Sequence, residues 1–292
     1  LLDGAEAGLA YILRETAELD MLTAVGVPVR CKWDNKLYNC AAVIQKGKIL
    51  GLIPKLYLPN YGEFYEQRWF VSGRGVDYAV SLCGQDCIPL CAGGLFECTG
   101  MPGLVVGVEL CEDLWAAEPP SVRLARAGAT VILNLSASDE VAGKAAYRRQ
   151  LVTGQSARLL CGYVYADAGQ GESSTDMVFA GHNMIAENGA LLAENRFSTG
   201  LTATELDVGR LVYERRRMTT FSGDTENVWR QSFSLKDTET ALTRPVSPAP
   251  FVPQGQRDRA ERCDEILRIA ALGLKQRLEH THAAAAVIGL SG

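Results

Sequence analysis

Short apolar runs recur along the first two thirds of the chain: AAVIQ (41–45), KILGLIPK (48–55), LVVGVEL (104–110), TVILNLS (130–136), YVYADAG (163–169), MVFAGHNMIA (177–186) and LLAENRF (191–197). Their length and their content of Val, Ile, Tyr and Phe predict strands. Helical spacing of apolar positions falls between some of them, at 121–129 and 144–161, and the opening stretch 1–19 reads as an amphipathic helix. Asn188–Gly189 and the Gln45–Lys48 stretch have the composition of tight hairpin turns, with glycine supplying a positive φ. Strands alternating with helices, with hairpins added, predict an α/β fold with a mixed sheet or paired sheets.

The texture changes near residue 205. ELDVGRLVYERRR (205–217) reads as a last strand and its exit, and 221–250 is polar, Pro-rich and aperiodic, as a linker would be. A helical period returns over 258–280, with Ile266, Leu267, Ile269, Ala270, Leu272 and Leu274 on its apolar side. THAAAAVIGLSG then reads as a buried strand running into a turn. The expected organisation is a first domain over 1–220, a linker over 221–250 and the start of a second domain over 251–292. The chain does not begin with Met and stops at Ser291–Gly292, so both ends look cut.

Composition narrows the functional class. At 47% hydrophobic and 22% charged residues, with a net charge of −5, the chain is globular in type and lacks a basic stripe for nucleic acid or an anionic membrane. The longest apolar runs fall well short of the roughly 20 residues of a membrane helix, and the N-terminal stretch has no secretory pattern. Nine cysteines without a secretory signal imply free thiols in a reducing, cytoplasmic setting. Cys83, Cys87, Cys91 and Cys98 are spaced unlike a zinc site, so they are expected to be structural, and no metal ligand set stands out.

One thiol is different. In VVGVELCEDLW (105–115), Cys111 ends a strand-type run between Glu109 and the Glu112–Asp113 pair, where negative charge should blunt a nucleophile. The three histidines, His182, His280 and His282, are remote in sequence, and His182 reads as a surface residue of a hairpin. A thiol nucleophile here therefore needs a cation and a base other than histidine. Alternation along the strand would place Glu109 and Cys111 on one face.

Three segments, IPKLYLPNYGEFYEQRWF (53–70), VELCEDLW (108–115) and NLSASDEVAGKAAYRR (134–149), together resemble the carbon–nitrogen hydrolase (nitrilase) superfamily. More closely, they resemble the glutamine-hydrolysing domain of the glutamine-dependent NAD⁺ synthetase family. The resemblance implies a nitrilase-like αββα sandwich lacking its first strand, and a Glu–Lys–Cys triad with Cys111 as nucleophile and Lys55 as the lysine. It gives Glu66 the role of a second glutamate that orients both, and it places Tyr61, Glu112, Ser138 and Lys144 around the substrate glutamine. Lys55 suits the oxyanion of an amide adduct and would favour the thiolate against its acidic neighbours.

The stretch 250–274 resembles the entry helix of the synthetase domain, and VIGLSG (287–292) the first half of an ATP-pyrophosphatase loop, with Ser291 and Gly292 beginning a pyrophosphate cradle in a Rossmann-like domain. The implied complete enzyme is a cytoplasmic homo-oligomer. It binds no cofactor in the glutaminase domain, and uses glutamine, nicotinate adenine dinucleotide, ATP and Mg²⁺. One departure stands out. The family's triad glutamate ends an early strand, in a turn of P-E-L type, and none of Asp3, Glu6, Glu15, Glu18, Asp20 or Asp34 matches it. The polypeptide as given is therefore expected to be poorly active.

Overall fold

The computed structural model describes residues 1–173, 177–221, 223, 228–253 and 255–290. Contacts divide the chain into two compact units, Leu1–Arg244 and Pro245–Gly292.

The first unit is built on two sheets. One contains β1 (Thr23–Arg30), β2 (Leu37–Gln45), β3 (Lys48–Pro54), β4 (Asp77–Leu82) and β5 (Gln85–Cys91), in the order β1-β2-β3-β5-β4. The other contains β6 (Leu95–Cys98), β7 (Val105–Leu110), β8 (Val131–Ser136), β9 (Gly162–Asp167), β10 (Asn183–Glu187), β11 (Ala190–Asn195) and β12 (Arg230–Phe233), in the order β11-β10-β9-β8-β7-β6-β12. The helices are α1 (Leu2–Glu15), α2 (Glu112–Trp115), α3 (Pro120–Arg126), α4 (Lys144–Leu159) and α5 (Val208–Arg217).

Three clusters of buried side chains explain why the apolar runs are nearly continuous. Along β2, Cys40, Ala42 and Ile44 pack outward with Leu9 and Leu13 of α1, while Ala41 and Val43 face inward. The inward cluster joins the two sheets through Ile53, Phe96, Val106, Val108, Leu110 and Phe233. On the far side, Ile132, Tyr163 and Tyr165 pack with Leu124 and Val152 of α3 and α4. A strand covered on both faces needs apolar residues at every position. The layers therefore run helix, sheet, sheet, helix, the αββα sandwich that the resemblance implied.

Several expectations need correction. Residues 208–217 form helix α5, not a strand: Val208, Leu211 and Val212 follow helical spacing, and Asp207 caps the turn by accepting the Arg210 N–H at 2.8 Å. Strand character in 177–186 is confined to Asn183 onward, because Gly181 takes φ +58° and breaks the run. The stretch expected to be linker contributes β12, which pairs in parallel with β6, and Trp229, whose ring meets Phe96 edge-on at 5.8 Å. Gly94 makes this fit: a Cβ there would lie 2.6 Å from the Trp229 ring.

In the second unit, α6 (Gln256–His280) follows the expected helical stretch, with Ile266, Leu267, Ile269, Leu272 and Leu274 more than half exposed. Residues 283–290, expected to be a buried strand, are exposed and join no ladder, since an apolar strand without a partner has nothing to satisfy its backbone. Ser291 and Gly292 lie outside the described residues. No helix among the described residues is long and apolar enough to cross a membrane.

Candidate active site

β7, β8 and β9 run parallel, and their C-terminal ends set the site, with Leu110 opposite Leu135 and Ser136 opposite Asp167. At the end of β7 the chain turns sharply. Cys111 takes φ +46° and ψ −102°, a strained conformation for a residue with a Cβ. The turn is held on both sides: the Cys111 N–H donates to the Leu135 carbonyl at 3.0 Å and to Asn134 Oδ1 at 3.2 Å, and its carbonyl accepts from Leu114 N. The thiol thus leaves the face that strand alternation predicts. Glu109 points the other way, into the outer core, where it accepts from Ser121 N at 2.7 Å and from the Tyr163 hydroxyl. Burial raises its pKa.

Lys55 follows β3 and is 4% exposed. Its ammonium contacts Glu66 Oε2 at 2.5 Å, and the other oxygen of Glu66 accepts from Asn39 Nδ2 at 2.6 Å. Lys55 and Cys111 are tied together by Asp113. One Asp113 oxygen accepts from the N–H groups of Leu56 (3.1 Å) and Tyr57 (2.9 Å), and the other from Leu110 N (3.0 Å). Asp113 is buried, so Asp113→Ala strands three backbone donors. The expected loss is about 3 kcal/mol or more of folding free energy, read by chemical denaturation. Asp113→Asn, which keeps an acceptor, is expected to lose less.

Burial pushes the Cys111 thiol up. The charge of Lys55 and a hydrogen bond from the Ala137 backbone pull it back, while Asp167 and Glu66 add to the rise. Of the acidic neighbours that the sequence suggested, Glu109 is turned into the outer core, Asp113 supports the turn and Glu112 accepts from the Tyr61 hydroxyl. The cation beside the thiol is Lys55.

Cys111 and Phe64 border two cavities. One, of about 710 Å³, contains Lys55, Glu66, Asn39, Ser136 and Asp167 and runs along Ala24–Pro28 of β1, which has β2 as its neighbour in the sheet. The other, of about 450 Å³, is lined by Tyr61, Glu112, Trp115, Ser138 and Lys144. All seven residues singled out in the first unit (Cys111, Lys55, Glu66, Tyr61, Glu112, Ser138 and Lys144) thus border one of the two. In the smaller cavity the Tyr61 hydroxyl donates to Glu112 Oε1 at 2.6 Å. The Lys144 ammonium pairs with Asp139 and lies 5.4 Å from the ring centres of both Phe64 and Trp115.

Sequence reading missed the supports behind this cavity. Arg148 is fully buried, and its Nη2 donates to Ser138 Oγ (3.1 Å) and to the Asp139 carbonyl (2.9 Å). Its Nη1 contacts Glu140 Oε2 at 3.0 Å and His182 Nδ1 at 2.9 Å. His182 is therefore no surface residue: it is 0% exposed, with Nε2 2.6 Å from Glu194. An arginine on a helix carries no local sign of burial; only partners distant in sequence make it tolerable. Among the described residues, no group of three or more His, Cys, Asp or Glu could hold a metal ion.

Comparison with known proteins bears on the family and the fold. The family model described as carbon–nitrogen hydrolase matches residues 3–215. The chain is 41% identical to the glutamine-dependent NAD(+) synthetase of Mycobacterium tuberculosis over all of its own length and 44% of that protein's. It thus spans under half the length of the curated relatives it matches. A solved glutamine-dependent NAD(+) synthetase from Cytophaga hutchinsonii superposes with a TM-score of 0.57 at 30% identity, covering 68% of this chain and 32% of that one. A carbon–nitrogen hydrolase from Helicobacter pylori shares the fold, with a TM-score of 0.59 at 17% identity over 74% of this chain and 72% of that one. The match over residues 3–215, on a chain folded as an αββα sandwich, places it in the carbon–nitrogen hydrolase family.

Proposed function

We propose that residues 1–220 are the glutamine-hydrolysing part of a glutamine-dependent NAD⁺ synthetase. The observation that carries this reading is that Cys111 borders both cavities, with Lys55 on one side and a polar pocket on the other. A glutamine side-chain amide reaching Cys111 from the smaller cavity leaves its α-amino and α-carboxylate groups among Glu112, Tyr61, Ser138 and Lys144. The thiolate attacks the amide carbon, and the ammonium of Lys55, held by Glu66, stabilises the oxyanion. The C–N bond then breaks, the nitrogen leaves as ammonia with an added proton, and water cleaves the thioester to release glutamate.

The two proton transfers need a base. The resemblance gives that role to a glutamate without a counterpart in these residues. Asp34, the carboxylate nearest in sequence ahead of Lys55, already accepts from Lys36 N (3.0 Å) and the Tyr38 hydroxyl (2.6 Å). Within 221–250, the part after Arg244 would connect the first unit to 251–292, the beginning of a second domain that uses the ammonia to amidate nicotinate adenine dinucleotide with ATP and Mg²⁺. The greater length of the relatives supports that continuation. A cytoplasmic homo-oligomer fits the same reading.

The rival is an amidase for another acyl group. Ammonia release from glutamine, asparagine and simple aliphatic amides separates the two in the protein that carries this chain. The expected result is at least a 10-fold preference in kcat/KM for glutamine, because a site built for the α-amino and α-carboxylate groups rejects amides lacking them. Faster turnover of aliphatic amides than of glutamine would assign the site to the rival.

A further inference from the structure

Asp167 is the last residue of β9 and pairs in register with Ser136. That position is one residue beyond the Leu110–Leu135 pair on the neighbouring strand, so Cys111 and Asp167 stand two strands apart, about 10 Å between Cα atoms at ordinary sheet spacing. Both line the larger cavity. Asp167 Oδ1 accepts the Ser138 N–H at 2.9 Å. Asp167 Oδ2 is buried and has no hydrogen-bond partner among the described residues. A buried carboxylate oxygen without a donor is costly, and a small apolar residue would fill the position more stably.

We propose that Asp167 is a positioning residue that couples the substrate pocket to the nucleophile: one oxygen fixes Ser138, and the carboxylate charge restrains ionisation of Cys111. Ser138 is gripped at two points, its amide by Asp167 and its hydroxyl by Arg148. The groups facing Cys111 are Lys55, which favours the thiolate, and Glu66, Asp167, Tyr165 and the Tyr61–Glu112 pair. The charge of Glu66 is offset by Lys55 at 2.5 Å and by Asn39. Asp167 makes no ion pair within 4.0 Å among the described residues; the Arg148 charge acts on it from farther away, so its carboxylate is not neutralised by direct contact as that of Glu66 is. Burial raises the Asp167 carboxyl to about 6, with the Ser138 N–H and the Arg148 charge pulling the other way. It is thus ionised at neutral pH and protonated in mild acid.

Two variants separate the two roles. Asp167→Asn keeps an acceptor for the Ser138 N–H and removes the charge; Asp167→Ala removes both. The first readout is the rate of iodoacetamide alkylation of Cys111 against pH, followed by peptide mass mapping because other thiols are exposed. Asp167→Asn is expected to alkylate about 3- to 10-fold faster at pH 7, with its profile displaced to lower pH, since the thiolate fraction rises when a nearby negative charge is removed. The second readout is KM for glutamine, expected to stay within about 2-fold in Asp167→Asn and to rise about 10-fold in Asp167→Ala, which loses the Ser138 anchor. An Asp167→Asn alkylation profile that superimposes on the parent's overturns the proposal. An unchanged KM in Asp167→Ala overturns its Ser138 half, and if that variant does not fold, the isosteric Asp167→Asn decides. The pocket half rests on the glutaminase reading and the thiol half does not. If the protein that carries this chain hydrolyses no glutamine while Asp167→Asn still shows the displaced profile, that reading fails with the pocket half and the thiol half stands.

Discussion

Cys111→Ala is expected to abolish glutamine hydrolysis, with kcat falling at least ~10³-fold, while the folded protein remains. Among the described residues the thiol is the one nucleophile shared by both cavities, and no hydroxyl replaces it on the strained turn. The turn itself is held by backbone bonds from Cys111 N to Leu135 and by Asp113 to Leu110, which alanine leaves intact. The melting temperature should therefore move by only a few degrees. Cys111→Gly should be equally inactive and at least as stable, because glycine takes φ +46° without strain. Residual hydrolysis near the parent rate in either variant would place the nucleophile elsewhere.

Lys55→Met is the second large effect. Losing the cation at the oxyanion is expected to cost about 10²- to 10³-fold in kcat/KM. It also leaves the Glu66 carboxylate, whose side chain is 13% exposed, without its partner at 2.5 Å. Breaking such a pair from one side destabilises by about 3 kcal/mol or more. Adding Glu66→Gln should restore most of the lost stability, since the amide still accepts from Asn39, and should restore no activity. Stability recovered without catalysis assigns Lys55 to the chemistry. Recovery of both would reduce it to a structural ion pair.

The layered fold was legible where burial is two-sided. AAVIQ, LVVGVEL and TVILNLS are apolar at successive positions because β2, β7 and β8 are covered on both faces. The strand-end Cys111 and the PKLY lysine were legible because their flanking residues resemble one family. What stayed hidden depends on partners remote in sequence. Trp229 lies in a polar stretch, and only the space left by Gly94 makes it part of the core. His182 is buried because Arg148 and Glu194 come to it from 34 and 12 residues away. Asp113 looked like one more repelling charge beside Cys111, yet it joins the Lys55 loop to the nucleophile turn through three backbone N–H groups. The 205–217 segment failed for a different reason. Its apolar positions fit both periods over so short a span, and the Asp207 cap decides for the helix.

The central claim is that Cys111 is a thiol nucleophile fitted to glutamine, and the most direct test is covalent. The protein is treated with an electrophilic glutamine analogue, and every cysteine is mapped by mass spectrometry. The account predicts one adduct, on Cys111, suppressed by glutamine but not by asparagine and much reduced in Lys55→Met. Labelling that spreads over the exposed Cys87 and Cys263 while Cys111 stays unmodified in folded protein would contradict it.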